Sequence, residues 1–133
     1  MKFINVDNIN VLALAYLGDA IYEERVREYL IRSGISLVDD LQKETIRYVS
    51  ARNQAKIISY LINTKYLTDR EINIVKRGRN YKKNRHPRHT DIITYKLSTG
   101  FETLIGYLYL NNEKKRVEEI IAYILGGSYE ENI

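Results

Sequence analysis

Apolar residues recur every three or four positions along most of the chain, with polar residues filling the intervals. That is the spacing of amphipathic helices rather than of strands. Ile9, Leu12, Ala13, Tyr16, Leu17 and Ala20 define the first such stretch and predict a helix from about Asn8 to Arg32. Asn8 or Asn10 is placed to cap it, and Gly34 to stop it. A second helix is predicted from Asp39–Asp40 through Leu41, Ile46, Val49, Ala55, Ile58, Leu61 and Ile62. A third starts at Thr68, with Glu71 three residues on in capping-box spacing, and carries Ile72, Ile74 and Val75. Gly78 to His89 collects glycine, asparagine, Pro87 and charges, and reads as a loop. Thr90-Asp91 then caps a helix running to Leu110, with Ile93, Leu97, Phe101, Leu104, Ile105 and Leu108 on one side. Asn111-Asn112 breaks it, and a last helix runs from Glu113 to about Leu125, ending at Gly126-Gly127. Most of the seven glycines read as breaks between segments. Alternating strand patterns are absent, so the expectation is an all-α bundle of about five helices.

Composition narrows the chemistry. At 133 residues the chain fits one domain, and an apolar fraction of 44% is enough for a real core. There is no cysteine, so disulfides and thiolate metal sites are excluded. No apolar run approaches the length of a membrane span and the N-terminus has no leader-like pattern, so a soluble, cytoplasmic protein is expected. The net charge of +4 is mild but unevenly placed. Between Lys76 and His89 stand Lys76, Arg77, Arg79, Lys82, Lys83, Arg85 and Arg88, two histidines and no acid. The remaining chain holds 14 basic against 17 acidic residues, a net of −3. A positive excess confined to one block points to a polyanionic partner.

Two glycines lie inside predicted helices, where each costs about 1 kcal/mol against alanine. Gly18 is followed by Asp19, and Gly106 is preceded one turn earlier by Glu102. If the two helices cross at their glycines, Asp19 and Glu102 converge. Two carboxylates at a partly desolvated crossing repel unless a cation sits between them, and oxygen ligands with retained waters suit Mg²⁺. The competing reading keeps Asp19 in a solvated polar row with Glu23 and Arg27.

The segment Leu14-Ala15-Tyr16-Leu17-Gly18-Asp19-Ala20-Ile21-Tyr22-Glu23 resembles the signature helix of ribonuclease III domains. Ser98-Thr99-Gly100-Phe101-Glu102-Thr103-Leu104-Ile105-Gly106-Tyr107-Leu108-Tyr109-Leu110 is similar to that family's second catalytic helix. The likeness covers Asn8 to Gly126, leaving no room after it for the double-stranded-RNA-binding domain of ordinary members. With Tyr48-Val49-Ser50-Ala51-Arg52-Asn53-Gln54-Ala55 and Lys76-Arg77-Gly78-Arg79-Asn80, it points to the short Mini-ribonuclease III subgroup.

The resemblance implies a ribonuclease III-like catalytic domain of about five to seven helices spanning residues 1–133. It implies Mg²⁺-dependent hydrolysis of double-stranded RNA to 5′-phosphate and 3′-hydroxyl ends, by a homodimer acting on the large-subunit ribosomal RNA precursor. Asp19 and Glu102 match the metal-binding acids. Leu12, Ala15 and Thr99 stand where larger members have further carboxylates. Lys76, Arg77, Arg79, Asn80, Lys82, Lys83, Arg85 and Arg88 become the expected RNA contacts. His86 and His89 read as incidental. Asn53 and Gln54 read either as RNA contacts or as ordinary polar surface. The alternatives are a non-catalytic module of the same fold that binds duplex RNA or the ribosome, which the reduced acid set favours, and an α-helical adaptor whose basic loop meets an acidic protein.

Overall fold

The computed structural model describes residues 2–81 and 91–126. Lys82, Lys83, Arg85, His86, Pro87, Arg88, His89 and Thr90 lie outside the described residues. Six α-helices and no strand are formed among those described: α1 (Val11–Arg32), α2 (Val38–Val49), α3 (Ala51–Asn63), α4 (Asp69–Arg79), α5 (Ile92–Leu110) and α6 (Lys114–Leu125). The all-helical expectation holds, with boundaries close to those the pattern predicts.

The caps show why. Asn10, not Asn8, caps α1, its side-chain oxygen accepting from the backbone N–H of Leu12 at 2.8 Å. Thr68 and Glu71 complete the capping box of α4, each side chain accepting from the other's backbone N–H. Asp91 caps α5 through the N–H of Thr94. Asn112 takes a φ of +61° just after α5, which turns the chain into α6.

Two readings are corrected. The long second helix is two helices, because Ser50 adopts an extended conformation and closes both ends. Its N–H bonds back to Ile46 at 3.1 Å, and its hydroxyl accepts from the N–H of Asn53. Gly78 is not in a loop. It lies in α4 beside α5, where an added Cβ would meet Thr103 Oγ1 at 2.4 Å, so the missing side chain is needed for contact. Gly100 mirrors it from α5, its missing Cβ facing the backbone oxygen of Val75 at 2.7 Å. Four of the glycines therefore mark helix contacts rather than breaks (Gly18, Gly78, Gly100 and Gly106).

α5 is the central helix and packs against α1, α3, α4 and α6. Phe101, Leu104, Ile105 and Leu108 of α5 are fully buried with Leu14 and Tyr22 of α1, Ile57 and Ile58 of α3, and Ile120 of α6. Tyr22 meets Phe101 edge-on at 4.9 Å and donates its hydroxyl to the Tyr48 carbonyl. A part-buried ion pair ties α4 to α6: Arg116 donates to both carboxylate oxygens of Glu71, at 2.8 and 2.9 Å. Burial alone would raise the Glu71 pKa, but Arg116 and the Thr68 cap together hold it below the usual glutamate value. No helix among the described residues is long and apolar enough to cross a membrane.

Candidate active site

The crossing of α1 and α5 is built on two glycines. A Cβ on Gly18 would lie 1.8 Å from the Glu102 carbonyl oxygen, and one on Gly106 would lie 1.9 Å from that of Leu14. Any side chain at either position would hold the helices apart, so the backbones touch because both residues are glycine. The contact brings Asp19, next to Gly18, up to Glu102, one turn before Gly106. The convergence expected from the sequence is the one observed.

The two carboxyls share a cleft of about 230 Å³ lined by Leu12, Ala15, Tyr16, Asp19, Tyr95, Thr99 and Glu102. Asp19 is exposed and Glu102 half-buried. Burial first, then the like charge of Asp19 and a direct interaction with it, pushes Glu102 up to about 8. In the absence of a cation its carboxyl therefore keeps a proton at neutral pH. Asp19 also borders a shallow polar groove with Glu23 and Arg27, which pair with each other at 2.6 Å. The polar row on α1 thus exists, but Asp19 faces Glu102 as well.

Leu12, Ala15 and Thr99 line the same cleft. The three positions at which the resemblance implies further carboxylates in larger members are therefore gathered around the pair, occupied here by an aliphatic side chain, a methyl group and a hydroxyl. Thr99 bonds its hydroxyl to the Tyr95 carbonyl at 3.0 Å. Among the described residues, no group of three or more histidine, cysteine, aspartate or glutamate side chains is arranged to hold a metal ion. Two carboxylates with room for water still suit Mg²⁺, which commonly takes one or two protein carboxylates and keeps several waters. Burial and the like charge of Asp19 both disfavour a charged Glu102, and such a cation would offset both.

Gln54 does not lie on the surface. It is fully buried, at the same register of α3 as Ile57, Ile58 and Leu61. Its side-chain oxygen accepts from Ser98 Oγ at 2.7 Å. Its place in the apolar stripe was visible in the sequence, but not that Ser98 and Glu102 of α5 would meet it. Asn53 is half-buried, and its backbone N–H serves the α3 cap.

The basic block begins on α4. Lys76, Arg77 and Asn80 are exposed, and Arg79 is half-buried with its Nε donating to Asn80. This end of α4 packs on α5 through Gly78, Gly100 and Thr103, the last adjoining Glu102. Tyr81 accepts at its hydroxyl from Asn10, the cap of α1, at 3.2 Å. The chain therefore leaves α4 between the start of α1 and the middle of α5, the two helices that carry the acids. Lys82, Lys83, Arg85 and Arg88 follow beyond the described residues.

Comparison with known proteins identifies the family. The Ribonuclease III domain family matches residues 12–113, which include both acids and the start of the basic block. The chain is 46% identical to Mini-ribonuclease 3 of Brevibacillus brevis, covering 84% of this chain and 82% of that protein. It is 38% identical to Mini-ribonuclease 3 of Streptococcus pneumoniae, covering 92% and 95%. A crystal structure of a Fusobacterium nucleatum protein superposes with a TM-score of 0.78 at 32% identity, over 90% of this chain and 94% of that one. The fold is that of a ribonuclease III domain. The chain belongs to the ribonuclease III family of endoribonucleases, within its Mini-ribonuclease 3 group.

Proposed function

We propose that the chain hydrolyses phosphodiester bonds of double-stranded RNA with Mg²⁺ held by Asp19 and Glu102, leaving 5′ phosphates and 3′ hydroxyls. The observation that carries this reading is the convergence of these two carboxyls at the Gly18–Gly106 contact. Bound between them, Mg²⁺ supplies acidification of a water and neutralisation of charge on the leaving 3′ oxygen. The protein's part is to hold both carboxylates on rigid helices and to deliver the phosphates. Asp19 and Glu102 act as ligands rather than as proton carriers. Lys76, Arg77, Arg79 and Asn80, with Lys82, Lys83, Arg85 and Arg88 after them, hold the backbone of the duplex. Duplex RNA offers phosphates and 2′ hydroxyls across a wide, shallow minor groove, so backbone contacts suit it better than base readout. The substrate we assign in the cell is the precursor of large-subunit ribosomal RNA, in the cytoplasm.

Incubating the purified chain with a long RNA duplex, with and without Mg²⁺, tests this directly. Cleavage should require the ion, and Asp19→Asn and Glu102→Gln should each lower the rate at least a hundredfold while duplex retention survives. Full cleavage by either variant would remove the mechanism. Duplex retention by the unaltered chain with no cleavage in Mg²⁺ or Mn²⁺ would instead favour the non-catalytic module, the reading to which the two-acid set lends weight.

The active form in this reading is a homodimer, one site per subunit and one strand cut by each. Its support is apolar surface along α1 and α2: Tyr16 is 84% exposed, Val38 64% and Ile46 60%, and a groove between the two helices includes Ile31, Val38, Leu41 and Ile46. Sedimentation should give twice the chain mass at micromolar concentration. A monomer at that concentration would reject the assembly.

A further inference from the structure

Gln54 is a polar side chain in a place where the helix pattern calls for an apolar one. It is wholly enclosed, and its two polar ends are treated differently. The oxygen accepts from Ser98. The nitrogen, Nε2, is buried without a hydrogen-bond partner among the described residues. A buried amide nitrogen left unpaired forfeits its solvation without recompense, a cost that asks for an explanation.

The geometry supplies one. Ser98 and Glu102 are four residues apart on α5 and therefore share a face, one turn from each other. An amide from α3 whose oxygen rests on Ser98 can carry its nitrogen toward Glu102, and the two side chains do interact. The nitrogen acts on the Glu102 carboxyl in the direction that favours the charged form, without completing a well-formed bond to it. If the amide were reversed, its oxygen would face a carboxylate and repel it, whereas Ser98 can donate or accept and so tolerates either end. The arrangement suits an ionised Glu102, the form a cation requires.

We infer that Gln54 is a positioning residue for Glu102, its amide oriented by Ser98 so that Nε2 is ready to donate to the carboxylate once it turns to hold a cation. This rests on the proposed metal role of Glu102 and adds a buried Ser98–Gln54–Glu102 relay behind it. A hydrogen bond that orients a metal ligand is worth about 10- to 100-fold in metal affinity.

Gln54→Met tests it, because methionine keeps the length and volume and removes both polar ends. A merely structural glutamine and a positioning one then give opposite signatures. For a positioning residue, the variant should melt at or above the temperature of the unaltered chain, since an unpaired buried nitrogen is gone. Its affinity for Mn²⁺, measured by calorimetry on the RNA-free protein, should fall about tenfold or more. In cleavage of duplex RNA, kcat should fall with KM unchanged. Mn²⁺ affinity within twofold of the unaltered chain overturns the inference, as does a weakening that merely follows a lowered melting temperature. Should Gln54→Met fail to fold, Ser98→Ala decides, because it removes one hydroxyl and frees the amide to turn. A several-fold loss of Mn²⁺ affinity supports the relay, and an unchanged affinity refutes it. If the unaltered chain itself takes up no Mn²⁺, the metal role of Glu102 falls, and the relay with it.

Discussion

Glu102 sits where two requirements of the site oppose each other. Holding a cation needs it charged, while its half-buried place beside Asp19 favours the neutral acid, which is why its pKa rises to about 8 from 4.5. The consequence for stability has a definite sign. A carboxyl that binds its proton more tightly in the folded chain than in the unfolded one adds stability below pH about 4.5, and that stability is lost as pH rises through about 8. Melting temperatures in chelator should therefore decline from pH 5 to pH 8.5. Glu102→Gln, which keeps the shape of the neutral acid, should flatten that decline and melt higher than the unaltered chain at pH 8.5. An equally steep decline in the variant would place the proton elsewhere. At this scale Asp19 and Glu102 were legible in the sequence because their spacing from Gly18 and Gly106 fixes their place on each helix. Gln54 was not, since its identity says polar, its register says buried, and only the facing Ser98 decides between them.

At the scale of elements, the site is a consequence of how two helices approach. Alanine is the better helix former by about 1 kcal/mol, so Gly106→Ala would help an isolated α5. In the folded chain the added methyl would meet the Leu14 carbonyl oxygen at 1.9 Å, against backbone that has nowhere to go. Overpacking costs about 1–3 kcal/mol, and a clash this close with backbone belongs at the upper end of that range, above the gain in propensity. Chemical denaturation of Gly106→Ala should show a net loss of about 1 kcal/mol or more, together with a larger proportional loss of cleavage as Asp19 and Glu102 move apart. A variant as stable as the unaltered chain would mean that the helices do not touch there. The same reasoning explains what the hydrophobic pattern missed. The spacing of apolar residues runs unbroken through Ser50, so the turn between α2 and α3 rests on one side chain's capping bond. Gly78 reads as a helix stop because its reason for being glycine lies across the interface, on Thr103. Both features have tertiary or single-residue causes, which periodicity does not carry.

Across the whole molecule, charge is divided by function. The helical body outside Lys76–His89 is net negative, so its general field opposes a phosphate that approaches the acids at the α1–α5 crossing. A phosphodiester approaches more readily when something positive holds the flanking backbone, and the basic block leaves α4 at the two helices that carry those acids. Binding that works this way releases counterions in proportion to the phosphates neutralised, with log K falling by about 0.9 per contact for each unit of log salt concentration. Neutralising Arg79, Lys82 and Lys83 together should weaken duplex RNA binding and reduce that slope by nearly 3, at about 0.9 for each lost contact. Neutralising Lys43, Lys65 and Lys115, three exposed lysines elsewhere on the body, lowers the net charge by the same amount. If the positive excess acted through the general field of the protein, both triple variants would lose slope equally. If it acts as a local grip on phosphates, only the first will, and equal losses in a salt titration of the two would refute the grip.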